Sequence, residues 1–223
     1  MSVVNRLFMP IILVLACHAV RLEAASLTLP RVAQVVHVSA DQQRRLTGWQ
    51  RFVQRHRHAS WQQKLHLANG YLNQFDYQKD KPVRGKAESW ATPYEFILQN
   101  GGDCEDFAIA KYFLLRALGI PEGQLQVTYV YHHLLKQNHM VLMYRPSEHA
   151  PVLVLDNLTN RIQPLADRPD IEPVYGFNRH HLWVVDRAAQ RTEVGGPTRL
   201  LRWQALLGRM RWQPLGPVDA ASG

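Results

Sequence analysis

The sequence predicts an α+β fold, helical in its first half and built on an antiparallel sheet in its second. Three observations carry that prediction. Helix-start signals recur early: Ser39-Ala40-Asp41-Gln42, Ser60-Trp61-Gln62-Gln63 and Thr92-Pro93-Tyr94-Glu95 each set a hydroxyl three residues before Gln or Glu, the capping-box arrangement. After Gly119-Ile120-Pro121 the hydrophobic period changes from helical to two. The composition is 46% hydrophobic and 20% charged over 223 residues, which supplies a core for one domain and excludes a chain dominated by disorder. Two cysteines, Cys17 and Cys104, are too few for a disulfide-built scaffold.

Taken in order, Leu46, Trp49 and Val53 follow the Ser39 cap at helical spacing, and Trp61, Leu65, Ala68, Leu72 and Phe75 form a stripe after Ser60. Residues 76–88 are polar, with Pro82 and Gly85, and read as a long loop of functional type. Thr92 caps a short helix with Pro93 at its first position, ended by Gly101-Gly102. Asp103 is a candidate cap for a stronger helix with Phe107, Ala110, Leu114 and Leu118 as its apolar stripe, stopped by Gly119 and Pro121. Leu125, Val127, Tyr129 and Tyr131 alternate with Gln126 and Thr128, which predicts a half-buried strand. Residues 139–144 and 152–156 read as two further strands joined by a turn at Pro146, and Leu182–Val185 as another. Residues 198–212 read as a basic amphipathic helix.

The first 25 residues read as a secretory signal: Arg6 precedes an apolar run of about ten residues, too short for a bilayer span of roughly 20, and small residues follow up to Ala24 and Ala25. The expected organisation is therefore a signal over 1–25 and one domain over 26–223, exported and, in a bacterium, periplasmic. A loose lipobox ending at Cys17 offers acylation there as the alternative. Removal of the signal leaves Cys104 as the one cysteine. The net charge of +8 suits an acidic partner or an anionic membrane surface, and nucleic acid is not expected for an exported chain. Arg44, Arg45, Arg51, Arg55 and Arg57 read as a solvated face.

The chemistry is concentrated in Gly101-Gly102-Asp103-Cys104-Glu105-Asp106, where Cys104 falls in the first turn of the best-defined helix. Helix N-termini favour a thiolate, and the flanking polar residues set this position apart from a buried structural thiol. A cysteine nucleophile needs a base, and the base an orienting group. Pairing Tyr144 with Pro151 and Val141 with Val154 places His139 across from Asp156, close enough for an imidazole–carboxylate hydrogen bond. The order along the chain is then Cys, His, Asp. Asp103, Glu105 and Asp106 crowd the thiol with carboxylates, which oppose its ionisation. A Ca²⁺ ion, which takes oxygen ligands, would relieve that opposition, although no EF-hand loop is present.

These segments, Trp90-Ala91-Thr92-Pro93, residues 102–113, Leu118-Gly119-Ile120-Pro121, His139-Met140-Val141-Leu142 and residues 153–157, resemble the bacterial transglutaminase-like cysteine proteinases. Within that family the chain is similar to the LapG-type periplasmic adhesin proteases, from about Ser39 to Trp183. The resemblance implies a papain/transglutaminase-like fold with Cys104 as nucleophile, His139 as base and Asp156 as orienter. It implies a calcium site at Asp103 and Glu105, with Asp106 as a candidate third ligand, and places Trp90 near the substrate entrance. It also implies the partners: a large surface adhesin cut near its N-terminus at an Ala-Ala bond, releasing biofilm cells, and an inner-membrane cyclic-di-GMP receptor that sequesters the protease. Two other readings stay open on the residues alone. One is acyl transfer to an amine, as in a transglutaminase or amide ligase; the other is a non-catalytic docking module.

Overall fold

A computed structural model describes residues 38–79, 89–211 and 213. The signal segment at 1–25, with Cys17, and most of the long polar loop lie outside the described residues. Among the described residues no helix is long and apolar enough to cross a membrane.

All three capping boxes form. Ser39 opens α1 (Ala40–His56), Ser60 opens α2 (Trp61–Leu72) and Thr92 opens α3 (Pro93–Gln99), each with the reciprocal Gln or Glu bond to the cap backbone. Such a cap stabilises its helix by about 1 kcal/mol, which matters most for α3 with its seven residues. The helix α3 stops at Asn100, which turns left-handed (φ 62°) and donates its side-chain N–H to Asp76 Oδ2. Gly101-Gly102, expected only to end the helix, instead forms a short strand β2 parallel to β1 (Asp76–Tyr77). Gly101 is required there: its φ is 144°, and a Cβ would sit 1.8 Å from the Asp76 carbonyl oxygen. This tie brings Tyr77 to the start of the next helix.

That helix, α4 (Cys104–Ala117), is the axis of the molecule. Every residue from Glu105 to Leu115 is buried, so α4 is surrounded where a one-sided stripe was expected. It packs on α2, α3 and the central strands. On its outer side the C-terminal helix α5 (Leu201–Met210) seats Trp203, fully buried, edge-on to Tyr112 and stacked on Phe113. Arg209 of α5 bonds Glu95 at 3.0 Å and the Trp90 carbonyl, strapping α5 to α3. Arg45 belongs to this scaffold too. It was expected in the solvated face, but it donates to the Ile97 and Leu98 carbonyls at 2.8 Å and closes the C-terminal end of α3.

The sheet has seven strands in the order β6-β5-β4-β3-β7-β8-β9, all neighbours antiparallel. They are β3 (Leu125–His132), β4 (Gln137–Tyr144), β5 (Leu153–Leu155), β6 (Gln163–Pro164), β7 (Ile171–Phe177), β8 (Leu182–Val185) and β9 (Arg191–Gly195). One face lies on α4. The other carries a second apolar cluster including Val130, Val141, Met143, Val154 and Ile171. Strand β3 is therefore buried on both faces, not one. Its polar Gln126 and Thr128 are accommodated by bonding each other at 3.0 Å. The register between β4 and β5 differs from expectation by two residues: Tyr144 pairs with Leu153, not Pro151. A two-residue shift keeps every side chain on its face, so His139 and Asp156 still project together.

Candidate active site

Two elements meet at the site. The N-terminus of α4 carries Cys104, half-buried at the first helical position. Strand β4 carries His139, which is 3% exposed. Both line one cleft of about 380 Å³, whose walls include Tyr77, Trp90, Asp103, Glu105, Tyr129, Tyr175 and Arg202. Met140, next to His139, also lines this cleft beside Cys104.

The imidazole is held firmly. His139 Nε2 lies 2.8 Å from Asp156 Oδ1, and Asp156 is fully buried at the end of β5. Burial opposes ionisation of Asp156, but His139, the Leu158 N–H and Arg168 together overcome it and hold the carboxyl well below the usual range. An ionised carboxylate only accepts, so the Nε2 proton belongs to His139 and the neutral ring presents a lone pair at Nδ1. The Asp156 main chain is fixed as well: Asn73, just past α2, donates to its carbonyl at 2.9 Å. The sequence expected a pair directly across the strands. Because of the register shift the contact is diagonal, and Asp156 reaches it from the first residue after β5.

The thiol is placed differently. Cys104 Sγ donates to Glu105 Oε2 at 3.2 Å. Burial pushes the thiol far above its ordinary value, and the adjacent carboxylates of Glu105 and Asp103 push it the same way. The Met140 backbone contact acts in the opposite direction and is outweighed. Tyr77, across the cleft mouth, is raised by burial and by these same three groups, which marks one concentration of negative charge.

The chain matches the family profile of the bacterial transglutaminase-like cysteine proteinases (BTLCP) over residues 38–170. It belongs to that family. A search of curated proteins gives no match. Among solved structures it is similar to Legionella pneumophila LapG, at 38% identity over 77% of this chain and 90% of that chain, with a TM-score of 0.68. The calcium-bound form of Legionella pneumophila LapG matches at 40% identity over 77% and 92%, with a TM-score of 0.68. Its EGTA-treated form matches at 38% over 77% and 90%, with a TM-score of 0.69. The protein is a cysteine protease of the LapG type with the expected α+β, transglutaminase-like fold.

Within this family frame the residues singled out from the sequence fall into three groups. Cys104, His139, Asp103, Glu105 and Trp90 line the cleft, and Asp156 stands behind His139. Trp90 is only 5% exposed and stacks on Phe177 at 5.5 Å, so it is both cleft wall and core. Asp106 faces away from the cleft: its Oδ1 accepts the Ala91 N–H at 2.7 Å and fixes the segment leading into α3. The donor set suits a hard cation, since Asp103 and Glu105 are carboxylates, each 8% exposed, opening on the same space. Among the described residues no three His, Cys, Asp or Glu side chains gather in metal-binding fashion. Asp103 occupies the cap position of α4 but makes no side-chain cap bond.

Sequence reasoning missed the layer behind the imidazole. Arg168 Nη2 donates to Asp156 Oδ2 at 2.9 Å and to Asp170 Oδ2 at 2.7 Å, while its Nε bonds Asp170 Oδ1 at 2.9 Å. The His132 ring stands edge-on to His139 at 5.9 Å, with Nε2 3.5 Å from Asp170. Lys111 lies buried in α4, 5.9 Å from the Phe107 ring centroid. Burial pulls it from 10.5 down to about 7, against the attraction of Asp156.

Proposed function

We propose that the protein is a calcium-dependent endopeptidase in which Cys104 is the nucleophile, His139 the base and Asp156 the orienter. The observation that carries this reading is the buried 2.8 Å bond from His139 Nε2 to Asp156, made behind the cleft that His139 and Cys104 both line. With Nε2 tied, Nδ1 is the atom that takes the Cys104 proton. The thiolate attacks the scissile carbonyl, and the protonated imidazole then gives its proton to the leaving amine. Water enters, is deprotonated by the same nitrogen and hydrolyses the thioester. The Cys104 N–H at the helix terminus is positioned to stabilise the oxyanion.

Asp103 and Glu105 would hold the cation. Its charge there would offset the carboxylates that keep the thiol protonated. The calcium-bound and EGTA-treated forms of the Legionella protein support calcium as that cation. The proposed substrate is a large surface adhesin, cut near its N-terminus at an Ala-Ala bond in the periplasm. Sequestration by an inner-membrane cyclic-di-GMP receptor is the proposed control. Trp90 is proposed as a wall of the substrate entrance.

The test is to incubate the purified protein with candidate adhesin N-terminal regions, with Ca²⁺ or with EGTA, and to sequence the products. One cut at an Ala-Ala bond, lost in EGTA and in Cys104→Ala, is expected. Equal cleavage in EGTA would exclude the calcium requirement, and cleavage by the alanine variant would exclude the nucleophile.

A further inference from the structure

Behind the catalytic pair lies a chain of charged groups that neither the family match nor the proposed triad assigns. Arg168 sits in the loop between β6 and β7 and is 6% exposed. Its guanidinium spans two carboxylates, binding Asp170 through Nε and Nη2 and Asp156 through Nη2. Asp156 Oδ1 is already committed to His139 and to the Leu158 N–H at 3.1 Å. Arg168 therefore makes the one hydrogen bond found to Oδ2 among the described residues.

We infer that Arg168 is a positioning residue of the catalytic machinery, a clamp that fixes the Asp156 carboxylate plane and so the orientation and tautomer of His139. This rests on the triad reading above.

A buried carboxylate with one oxygen unbonded can rotate about its Cβ–Cγ bond, and any rotation swings Oδ1 off the His139 Nε2–H direction. The planar fork of arginine fixes two carboxylates at once, a geometry that a single ammonium cannot reproduce. Asp170 gives the clamp its own anchor, since Nε and Nη2 of Arg168 both bond it independently of Asp156. The second guanidinium nitrogen, Nη1, is buried without a hydrogen-bond partner, so Arg168 is held by the two carboxylates and by nothing else found at that end.

The readout should follow the imidazole and not the substrate, so that this claim and the protease assignment can fail separately. Alkylation of Cys104 by iodoacetamide, followed by mass spectrometry of its peptide in Ca²⁺ buffer, serves. His139→Ala should slow alkylation by about 100-fold, which calibrates the assay. Arg168→Met should slow it about 10-fold and Arg168→Lys about 3-fold. A thermal melt should show each variant folded, and a ¹⁵N spectrum of the imidazoles should show His139 losing its Nε2–H tautomer in proportion to the rate. If Arg168→Met does not fold, Asp170→Asn carries the test: it leaves Arg168 in place but unanchored and should cost about 3-fold with the same tautomer change. Wild-type rates and an unchanged His139 tautomer in Arg168→Lys and Asp170→Asn overturn the clamp. Wild-type rates in His139→Ala itself would overturn the triad, whatever Arg168 does.

Discussion

The imidazole side and the thiol side of the cleft are built on opposite plans. On the imidazole side each group is tied to the next: His139 to Asp156, Asp156 to Leu158 and Arg168, Arg168 to Asp170. On the thiol side Cys104 is held in its proton-bearing form by burial and by its own neighbour, Glu105. On the proposed triad, a prebuilt base faces a suppressed nucleophile, which places control on one atom. On that reading, whatever removes negative charge from the helix mouth should activate the site without moving the base.

The largest expected effect tests whether the thiol side is the site of chemistry at all. Cys104→Ala should lower cleavage by at least about 10⁴-fold while the melt is unchanged, because the side chain is small and sits at a helix start. Proteolysis within 10-fold of wild type would end the comparison.

The next tests the prebuilt side. Asp156→Asn should cost about 10²–10⁴-fold in kcat with a small change in KM, since the amide presents the wrong partner to Nε2. His132→Ala should cost far less than His139→Ala. Asp156 also contributes to stability in a way with a defined sign. Its folded value lies below the unfolded value of about 3.9, so its contribution is full above that pH and is lost as pH falls further through the folded value. Denaturant titrations should show Asp156→Asn less stable than wild type at pH 6, with the gap narrowing below pH 4.

A smaller effect of opposite sign sharpens the contrast. Glu105→Gln removes one of the charges that hold the proton on the thiol. In EGTA it should raise the Cys104 alkylation rate several-fold above wild type, while losing the response to Ca²⁺. A slower rate in EGTA would mean that Glu105 assists the thiol.

The smallest concerns stability. Lys111 is buried, and below pH 7 it carries a charge in an apolar helix core. Lys111→Met should stabilise the fold by about 1–3 kcal/mol at pH 6. Between pH 7 and about 10.5 the folded lysine is neutral while the unfolded one still binds its proton, so wild-type stability rises and the difference shrinks. Melts of both proteins across that range check it.

Much of this was legible from local chemistry. Three hydroxyl caps and their Gln or Glu partners fixed α1, α2 and α3, because a capping box is satisfied within four residues. The helix mouth at Cys104 and the pairing of His139 with Asp156 were legible for a similar reason: even a register wrong by two keeps a strand's faces. Strand β7 was not, because Pro173 and Gly176 interrupt its alternation. Both are tolerated through tertiary context. Pro173 sits opposite Val130 where the β3–β7 register shifts, beyond the reach of β8, so its missing N–H breaks no ladder. Gly176 leaves room for Gln126, whose Nε2 would lie 2.0 Å from a Cβ there. Arg168 and Asp170 come from an aperiodic loop after Leu165, and only the folded chain shows that they stand behind Asp156. Asp106, one of three acidic residues in a row of four, could not be separated from Asp103 and Glu105 until the helix set its direction toward Ala91.

On the proposed triad the base is ready and the thiol is not. That claim is tested most directly by the rate at which Cys104 is alkylated at pH 7 in excess EGTA and in Ca²⁺, with the His139 imidazole followed by NMR in both. Alkylation should be at least about 10-fold faster in Ca²⁺, the gain should be lost in a variant with Asp103→Asn and Glu105→Gln together, and one unchanged His139–Asp156 hydrogen bond should persist in all samples. Equal rates in EGTA and Ca²⁺, or a His139–Asp156 bond that forms only when Ca²⁺ is added, would contradict it.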